Sequence, residues 1–213
     1  LTFDGDADRL IMIDEDGFIA NGDVMIALLA KYLNQIKKLN ASTVVTTVMA
    51  NVGLQRALDN MNITSVVTPV GDKYVAEAME EHKASLGGEQ SGHIILSDYL
   101  PVGDGLLTGI FILKALSFFG LKLSELRKEL ITEYPQKLIN FHLDASLDAD
   151  KLDMLKQEMK SIEEARISEG RIFVRASGTE PLLRVLIEAN NNEEIEEVLH
   201  LIEETTTKYL NIK

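Results

Sequence analysis

The sequence predicts an α/β protein in two parts, a mixed-sheet α/β domain with helices packed on the sheet followed by a smaller α+β domain with an antiparallel sheet. Three observations lead there. Between residues 23 and 121, segments with helical apolar spacing alternate with short β-branched runs, as in strands that carry helices on their faces. After Pro135 the order changes to strand, amphipathic helix, extended segments and a last helix. The 213 residues, 46% hydrophobic and 26% charged, are enough for one large core or two smaller ones.

Leu10 to Ile13 is a continuous apolar run, and Asp14-Glu15-Asp16-Gly17 supplies turn chemistry, so a strand and a turn are expected. Residues 1–20 read as the tail of a preceding domain, and the chain as part of a longer protein. Helical spacing follows from Asp23 to Leu39 through Val24, Ile26, Ala27, Leu28, Ala30 and Leu33. A strand (Thr43 to Val48), a helix (Gly53 to Met61), a strand (Thr64 to Pro69), a helix (Tyr74 to His82) and strands near Ala84 to Leu86 and His93 to Leu96 continue the alternation. Leu106 to Leu121 is the longest apolar stretch. Lys114 interrupts it short of the roughly 20 residues a membrane span needs, so it reads as a buried helix and no membrane partner is expected.

A charged helix, Ser124 to Leu130, leads into Tyr134-Pro135, and Pro135 disfavours helix at Tyr134. The expected boundary lies there, giving an α/β domain over 21–133 and an α+β domain over 134–213. The latter is expected to contain a strand (Lys137 to Leu143), a helix (Asp150 to Ser161), a hairpin from Ala165 to Arg175 with Glu169-Gly170 at its tip, and a strand (Leu182 to Ala189). Its last helix starts near Asn192, with Glu193, Glu194, Glu196 and Glu197 at the end of the macrodipole that favours negative charge.

Lys and Arg number 21 against 34 Asp and Glu, a net charge of -13. A field of that sign repels a nucleic-acid backbone, so no nucleic-acid partner is expected. An anionic ligand would need cations gathered locally, which makes Arg and Lys in Gly-rich loops informative. The chain has no cysteine, which excludes disulfides and thiolate zinc sites and fits a cytoplasmic protein.

Three loops carry candidate chemistry. In Asp4-Gly5-Asp6-Ala7-Asp8-Arg9 the acidic residues alternate, so the carboxylates of Asp4, Asp6 and Asp8 can converge on a hard cation and leave positions open for water or phosphate oxygen, which suits Mg²⁺. An exposed acidic turn is the plainer reading. A calcium loop is rejected, because the sixth position needs Gly and holds Arg9, although Glu15 falls at the twelfth. In Gly87-Gly88-Glu89-Gln90-Ser91-Gly92-His93, Glu89 and Ser91 can face one side, a carboxylate and a hydroxyl suited to paired sugar hydroxyls; a plain hairpin turn explains the segment as well. Arg175-Ala176-Ser177-Gly178-Thr179-Glu180-Pro181 combines a guanidinium, two hydroxyls and a Gly-centred backbone whose N–H groups can meet an anion, and Arg184 adds a second cation. Its alternative is an ordinary hairpin with solubilising arginines. Lys73, in Val70-Gly71-Asp72-Lys73, is a lesser phosphate candidate beside a helix start.

These loops, in this order and over essentially the whole chain, resemble the α-D-phosphohexomutase family. Asp4 to Arg9 is similar to its metal loop, Gly88 to His93 to its sugar loop and Arg175 to Arg184 to its phosphate loop. Ala7 and Gln90 resemble the branch acting on glucosamine phosphates; branches acting on mannose or glucose phosphates more often carry a second Gly, or Met or Glu. Ala176 departs from a frequent Pro. The resemblance implies an isomerase of amino-sugar and cell-wall precursor metabolism with four domains. Its phosphoserine, expected upstream of Asp4, supplies the remaining protein ligand to Mg²⁺. It further implies that Asp4, Asp6 and Asp8 hold Mg²⁺, that Arg9 assists electrostatically, and that Glu89 and Ser91 hold sugar hydroxyls. Arg175, Ser177, Gly178, Thr179 and Arg184 would grip the non-reacting phosphate of a phosphorylated hexosamine, with Lys73 and His93 as lesser contributors. Without the upstream domains, the chain is expected to be inactive.

Overall fold

The computed structural model describes residues 1–143, 149–177 and 181–210, which fall into two compact units, Leu1–Glu133 and Tyr134–Lys213. The first unit opens with a small antiparallel sheet of β1 (Thr2–Phe3), β2 (Leu10–Ile13) and β3 (Ile19–Ala20). Asp14 closes the β2–β3 turn by accepting the N–H groups of Asp16 (3.0 Å) and Phe18 (2.9 Å).

The main sheet of this unit has five strands in the order β5-β4-β6-β7-β8, with α1 (Gly22–Gln35), β4 (Thr43–Thr47), α2 (Val52–Asn60), β5 (Thr64–Thr68), α3 (Asp72–His82), β6 (Leu86–Gly88), β7 (Ile94–Leu96), β8 (Leu100–Gly103), α4 (Gly105–Phe119) and α5 (Leu123–Leu130) along the chain. β4 pairs in parallel with β5 and β6, while β7 and β8 are antiparallel additions. The helices begin where side chains take up unpaired N–H groups, as Asn21 does for α1, Asn51 for α2 and Asp104 for α4. One core, including Met25, Leu29, Val44, Leu58, Leu86 and Ile112, lies between α1, α2, α4 and the sheet, and a smaller cluster of Val45, Val75, Met79 and Ile95 lies under α3.

The second unit is a three-stranded antiparallel sheet, β10-β11-β9, made by β9 (Gln136–His142), β10 (Arg171–Ala176) and β11 (Leu182–Glu188), with α6 (Ala149–Arg166) and α7 (Asn192–Tyr209). Val174, Leu183, Val185 and Ile187 meet Leu155 and Met159 of α6 and Ile195, Val198 and Ile202 of α7 in its core. The fold class read from the sequence therefore holds.

Several elements differ from expectation. The strand placed at Ala84–Leu86 sits two residues later, so Gly87 and Gly88 are strand residues. Bare Cα atoms are needed there, because a Cβ on Gly87 would lie 2.4 Å from the Met79 sulfur and one on Gly88 2.6 Å from the His93 carbonyl oxygen. β8 was not anticipated; Pro101 and Gly103 disguise it, and Pro is tolerated on an edge strand. The hairpin with its tip at Glu169-Gly170 is corrected. Helix α6 runs on to Arg166, and β10 pairs instead with β11, Gly170 (φ +148) fitting where a Cβ would meet the Glu188 carbonyl oxygen at 1.9 Å. The Leu106–Leu121 helix is buried on one stripe only, by Thr108, Phe111, Ile112 and Ala115, while Leu106 and Leu113 are 61% and 53% exposed. Apolar composition marks a helix as hydrophobic without naming what covers each face. No single helix among the described residues is long and apolar enough to cross a membrane, and α4 and α5 meet at 85°.

Candidate functional site

Ligand sites of open α/β sheets lie where loops leave the C-terminal ends of parallel strands. Here those loops follow β4, β5 and β6, and side chains tie them together. The Glu89 carboxylate, after β6, accepts the N–H of Gly71, after β5, at 3.1 Å. Asp23, fully buried in the first turn of α1, accepts the N–H of Asn51, after β4, at 2.8 Å and the side-chain amide of Gln90 at 3.0 Å.

The acidic loop joins this group through backbone. The Leu10 N–H donates to the Gly92 carbonyl (3.1 Å), Arg9 and His93 form an isolated antiparallel bridge, and the Gly105 N–H at the start of α4 holds the Ala7 carbonyl (2.9 Å). Asp4, Asp6 and Asp8 each present a carboxylate oxygen within 4.8 Å of the others. Asp8 Oδ2 lies 3.0 Å from His93 Nδ1, while its Oδ1 is shielded from solvent and takes no hydrogen bond. Arg9, exposed, lies at 3.7 and 3.8 Å from Asp4 and Asp8, too far for hydrogen bonds, and its backbone N–H reaches Asp4 Oδ1 at 3.3 Å. Three convergent carboxylates, one of which also has an oxygen shielded from solvent and without a donor, fit a small divalent cation.

Around this core the sequence candidates divide. Glu89 is half-buried beside the Asp23–Gln90 contact, and Ser91 is exposed at the loop tip. Lys73 is exposed, with Glu77 at 3.8 Å one helical turn on, and lines a cleft of about 620 Å³ against Met79, Ile95 and Pro101. His93, expected as a lesser contributor to substrate binding, is 8% exposed and packs its ring over Gly103, where a Cβ would come within 2.3 Å. Its described partner is Asp8, so it orients a carboxylate of the acidic trio. Asp23 and the Asn51 cap are the residues that the sequence reading missed. A polar residue at helical position two of an otherwise apolar stretch is the signal that was available for Asp23.

In the second unit, Arg175 on β10 stands directly across from Arg184 on β11, which in turn stands across from Asn140 on β9. Like charges opposite one another on a sheet destabilise it. Both lie on the face of the sheet away from Val174, Leu183 and Val185. The Ser177 N–H donates to the Leu182 carbonyl at 2.7 Å, closing the base of the loop. Gly178 and Thr179 lie outside the described residues.

The family model for the phosphoglucomutase/phosphomannomutase alpha/beta/alpha domain III matches residues 21–134, and that for the C-terminal domain matches residues 138–205. The chain belongs to the phosphoglucomutase/phosphomannomutase family. Within that family it is similar to the phosphoglucosamine mutase of Streptococcus mutans serotype c, 48% identical over 197 residues that cover 92% of this chain and 44% of that protein. It is likewise similar to the phosphoglucosamine mutase of Shouchella clausii, 49% identical over 193 residues, 91% of this chain and 43% of that protein. Among solved structures, Aspergillus fumigatus N-acetylphosphoglucosamine mutase in complex with GlcNAc-6P and magnesium superimposes with a TM-score of 0.78 over 98% of this chain and 48% of that one. At 22% identity, that likeness concerns the fold. The chain spans less than half the length of these relatives, and what it shares with them is the family's domain III and C-terminal domain.

Proposed function

We propose that this chain is the C-terminal portion of a phosphoglucosamine mutase, an isomerase that interconverts glucosamine 6-phosphate and glucosamine 1-phosphate through a phosphoserine and a 1,6-bisphosphate. The carrying observation is that the Asp4-Asp6-Asp8 trio and the Glu89–Ser91 loop form one bonded assembly, through Leu10–Gly92 and Asp8–His93. A cation site and a polyol site that share a backbone ladder suit phosphoryl transfer to a sugar hydroxyl, which is catalysis by positioning and charge stabilisation.

Asp4, Asp6 and Asp8 would hold Mg²⁺, which supplies positive charge to the transferring phosphoryl group. Arg9, beside the trio, adds a second positive charge. Glu89 accepts from sugar hydroxyls, Ser91 can donate or accept, and Lys73 approaches from the neighbouring loop. Arg175, Ser177, Gly178, Thr179 and Arg184 bind the phosphate that is not reacting. Such a grip accepts either phosphate of the bisphosphate, because guanidinium and backbone donors do not read sugar stereochemistry. The nucleophilic serine and the rest of the cleft are assigned to the upstream domains of the longer protein, so the 213-residue chain alone should turn over nothing. A cytoplasmic location fits this chemistry and the cysteine-free composition.

The test is the full-length protein with Mg²⁺ on glucosamine, glucose and mannose 6-phosphates. We expect glucosamine 6-phosphate to have the highest kcat/KM, and Asp6→Asn or disruption of Ser177-Gly178 to remove most activity. Unchanged rates in both variants would overturn the site, a preference for glucose or mannose phosphate would reassign the substrate, and robust turnover by the 213-residue chain would refute the division of labour.

A further inference from the structure

Gln90, between the two residues expected to meet the sugar, is held from both ends by the start of α1. Its carbonyl accepts the Gly22 N–H at 2.9 Å, and its side-chain amide donates to Asp23 Oδ2 at 3.0 Å. Gly22 makes this approach possible, because a Cβ there would lie 1.9 Å from the Glu89 carbonyl oxygen. The loop's own bonds, Glu89 N–H to His93 O (2.9 Å) and Gly92 N–H to Glu89 O (3.0 Å), set the shape of the turn. They leave its tilt to anchors outside it: the Leu10 N–H holds the Gly92 carbonyl (3.1 Å) and the Gly71 N–H holds the Glu89 carboxylate (3.1 Å), but the Gln90 corner could still swing on those two. The contacts to Gly22 and Asp23 remove that freedom.

Asp23 also takes the Asn51 N–H, so one buried carboxylate fixes the turn after β6 to the turn after β4. A buried carboxylate is expensive unless its oxygens meet well-placed donors, and the bonds it makes are of the stronger, charge-assisted kind. Asp is the residue that fits, as its short side chain leaves from the helix's first turn, where negative charge is favoured. Gln at 90 is needed as the donor. Met has none, and Glu would set a second carboxylate against the first.

We propose that Asp23 is a positioning residue for the Glu89–Ser91 loop, aiming the sugar-binding side chains through Gln90; this rests on the reading of that loop as the sugar site. Asp23 itself touches no substrate. The variants are Asp23→Asn, Gln90→Met and the two together, in the 213-residue chain and the full-length protein. In the 213-residue chain, amide exchange at Gly92 and Leu10, whose N–H groups tie the turn to itself and to β2, should speed up about tenfold, the worth of one hydrogen bond to a charged group. Exchange at Val44 and Val45 in β4 should stay as in the wild type. In the full-length protein, KM for glucosamine 6-phosphate should rise about tenfold while kcat changes little, and the double variant should be no worse than the more impaired single one.

A purely structural role would instead speed exchange through β4 as well and lower the active fraction, reducing kcat at constant KM. Either that pattern or unchanged exchange at Gly92 and Leu10 overturns the proposal. If the wild-type protein turns over no sugar phosphate, the proposed function fails, and the exchange measurement still decides whether Asp23 holds the loop.

Discussion

Replacing Gly92 by alanine tests the junction on which the candidate site depends. Gly92 adopts φ +93, and a Cβ there would lie 2.1 Å from the Leu10 carbonyl oxygen and 3.0 Å from its carbon. Two penalties follow. Holding an L-residue at that φ costs about 1–3 kcal/mol, and forcing a methyl into occupied backbone space costs about 1–3 kcal/mol. The sum of roughly 2–6 kcal/mol falls on a unit of residues 1–133, whose unfolding entropy, at about 2.1 cal/mol/K per residue, converts each kcal/mol into about 3.6 °C. Calorimetry on the 213-residue chain should show the transition of this unit lowered by about 7–22 °C. Two controls separate the terms. Gly17 shares a positive φ (+82) but has open space around its Cβ, so Gly17→Ala should show backbone strain alone, about 4–11 °C. Gly5→Ala, with neither strain nor a neighbour within 4 Å, should leave the transition in place. A Gly92→Ala transition within 3 °C of wild type, or no lower than that of Gly17→Ala, would refute the claim that the acidic loop and the Glu89–Ser91 loop are locked together there.

Acid should weaken the first unit through the β2–β3 turn. Burial pushes the Asp14 carboxyl up, but donation from Phe18, Arg127 and Asp16 outweighs it and holds the pKa below the ordinary 3.8; the Ser124 hydroxyl does most to hold Glu15 below 4.5. Depressed folded-state values mean stability that is present above the ordinary carboxylate range and lost as pH falls through the lower folded values. Urea midpoints measured from pH 7 to 3 should therefore drop more steeply below about pH 4.5 in the wild type than in Asp14→Asn/Glu15→Gln, and equal slopes would contradict this assignment. At Glu133 the balance is reversed, because burial outweighs the bond from Asn21 and raises the pKa, so Glu133→Gln, which keeps an acceptor for Asn21, should remove a penalty felt above pH 4.5 and lift the neutral-pH midpoint. In the second unit, Leu183→Ala should cost about 2–5 kcal/mol by urea unfolding, against within about 0.5 kcal/mol for Leu138→Ala, since Leu183 is fully buried and Leu138 is 47% exposed. Similar losses at the two positions would mean that the helices do not pack on the Leu183 face.

What the sequence made legible were features whose signal is local. The apolar spacing of α1, the β-branched run of β4 and the alternating Asp residues of the acidic loop each sit within a dozen residues; β4 and the start of α1 were placed to within one residue, while the helix stops at Gln35, four residues before the expected Leu39. What it hid depends on residues distant in the chain. His93 looks like a loose candidate after a glycine loop until it is seen 3.0 Å from Asp8, 85 positions away. Gln90 reads as a mark of one branch of the family. Its contact with Asp23, 67 positions away, cannot be read from the sequence. The misplaced hairpin of the second unit fails the same way, since whether Glu169-Gly170 is a hairpin tip or a helix exit depends on what β10 pairs with, and β11 lies beyond the loop.

The same contrast orders the candidate residues by what their loss would do. Asp6, Glu89 and Ser91 sit on loops whose shape other residues largely impose, so replacing any of them with a side chain of similar size should remove the proposed chemistry and leave the fold standing, whereas Asp4 also holds the Arg9 N–H. Gly22, Asp23, Gly92 and His93 impose that shape. Gly22 and Gly92 do so by lacking a Cβ that backbone oxygens at 1.9 and 2.1 Å would exclude, and Asp23 and His93 by the bonds they make to Gln90 and Asp8. Their loss should disturb geometry before chemistry. Glu89 belongs partly to both groups, since its carboxylate also holds the Gly71 N–H. Glu89→Gln keeps an acceptor for that bond and removes only the charge, which makes it the cleaner probe of the sugar-binding role proposed for this loop.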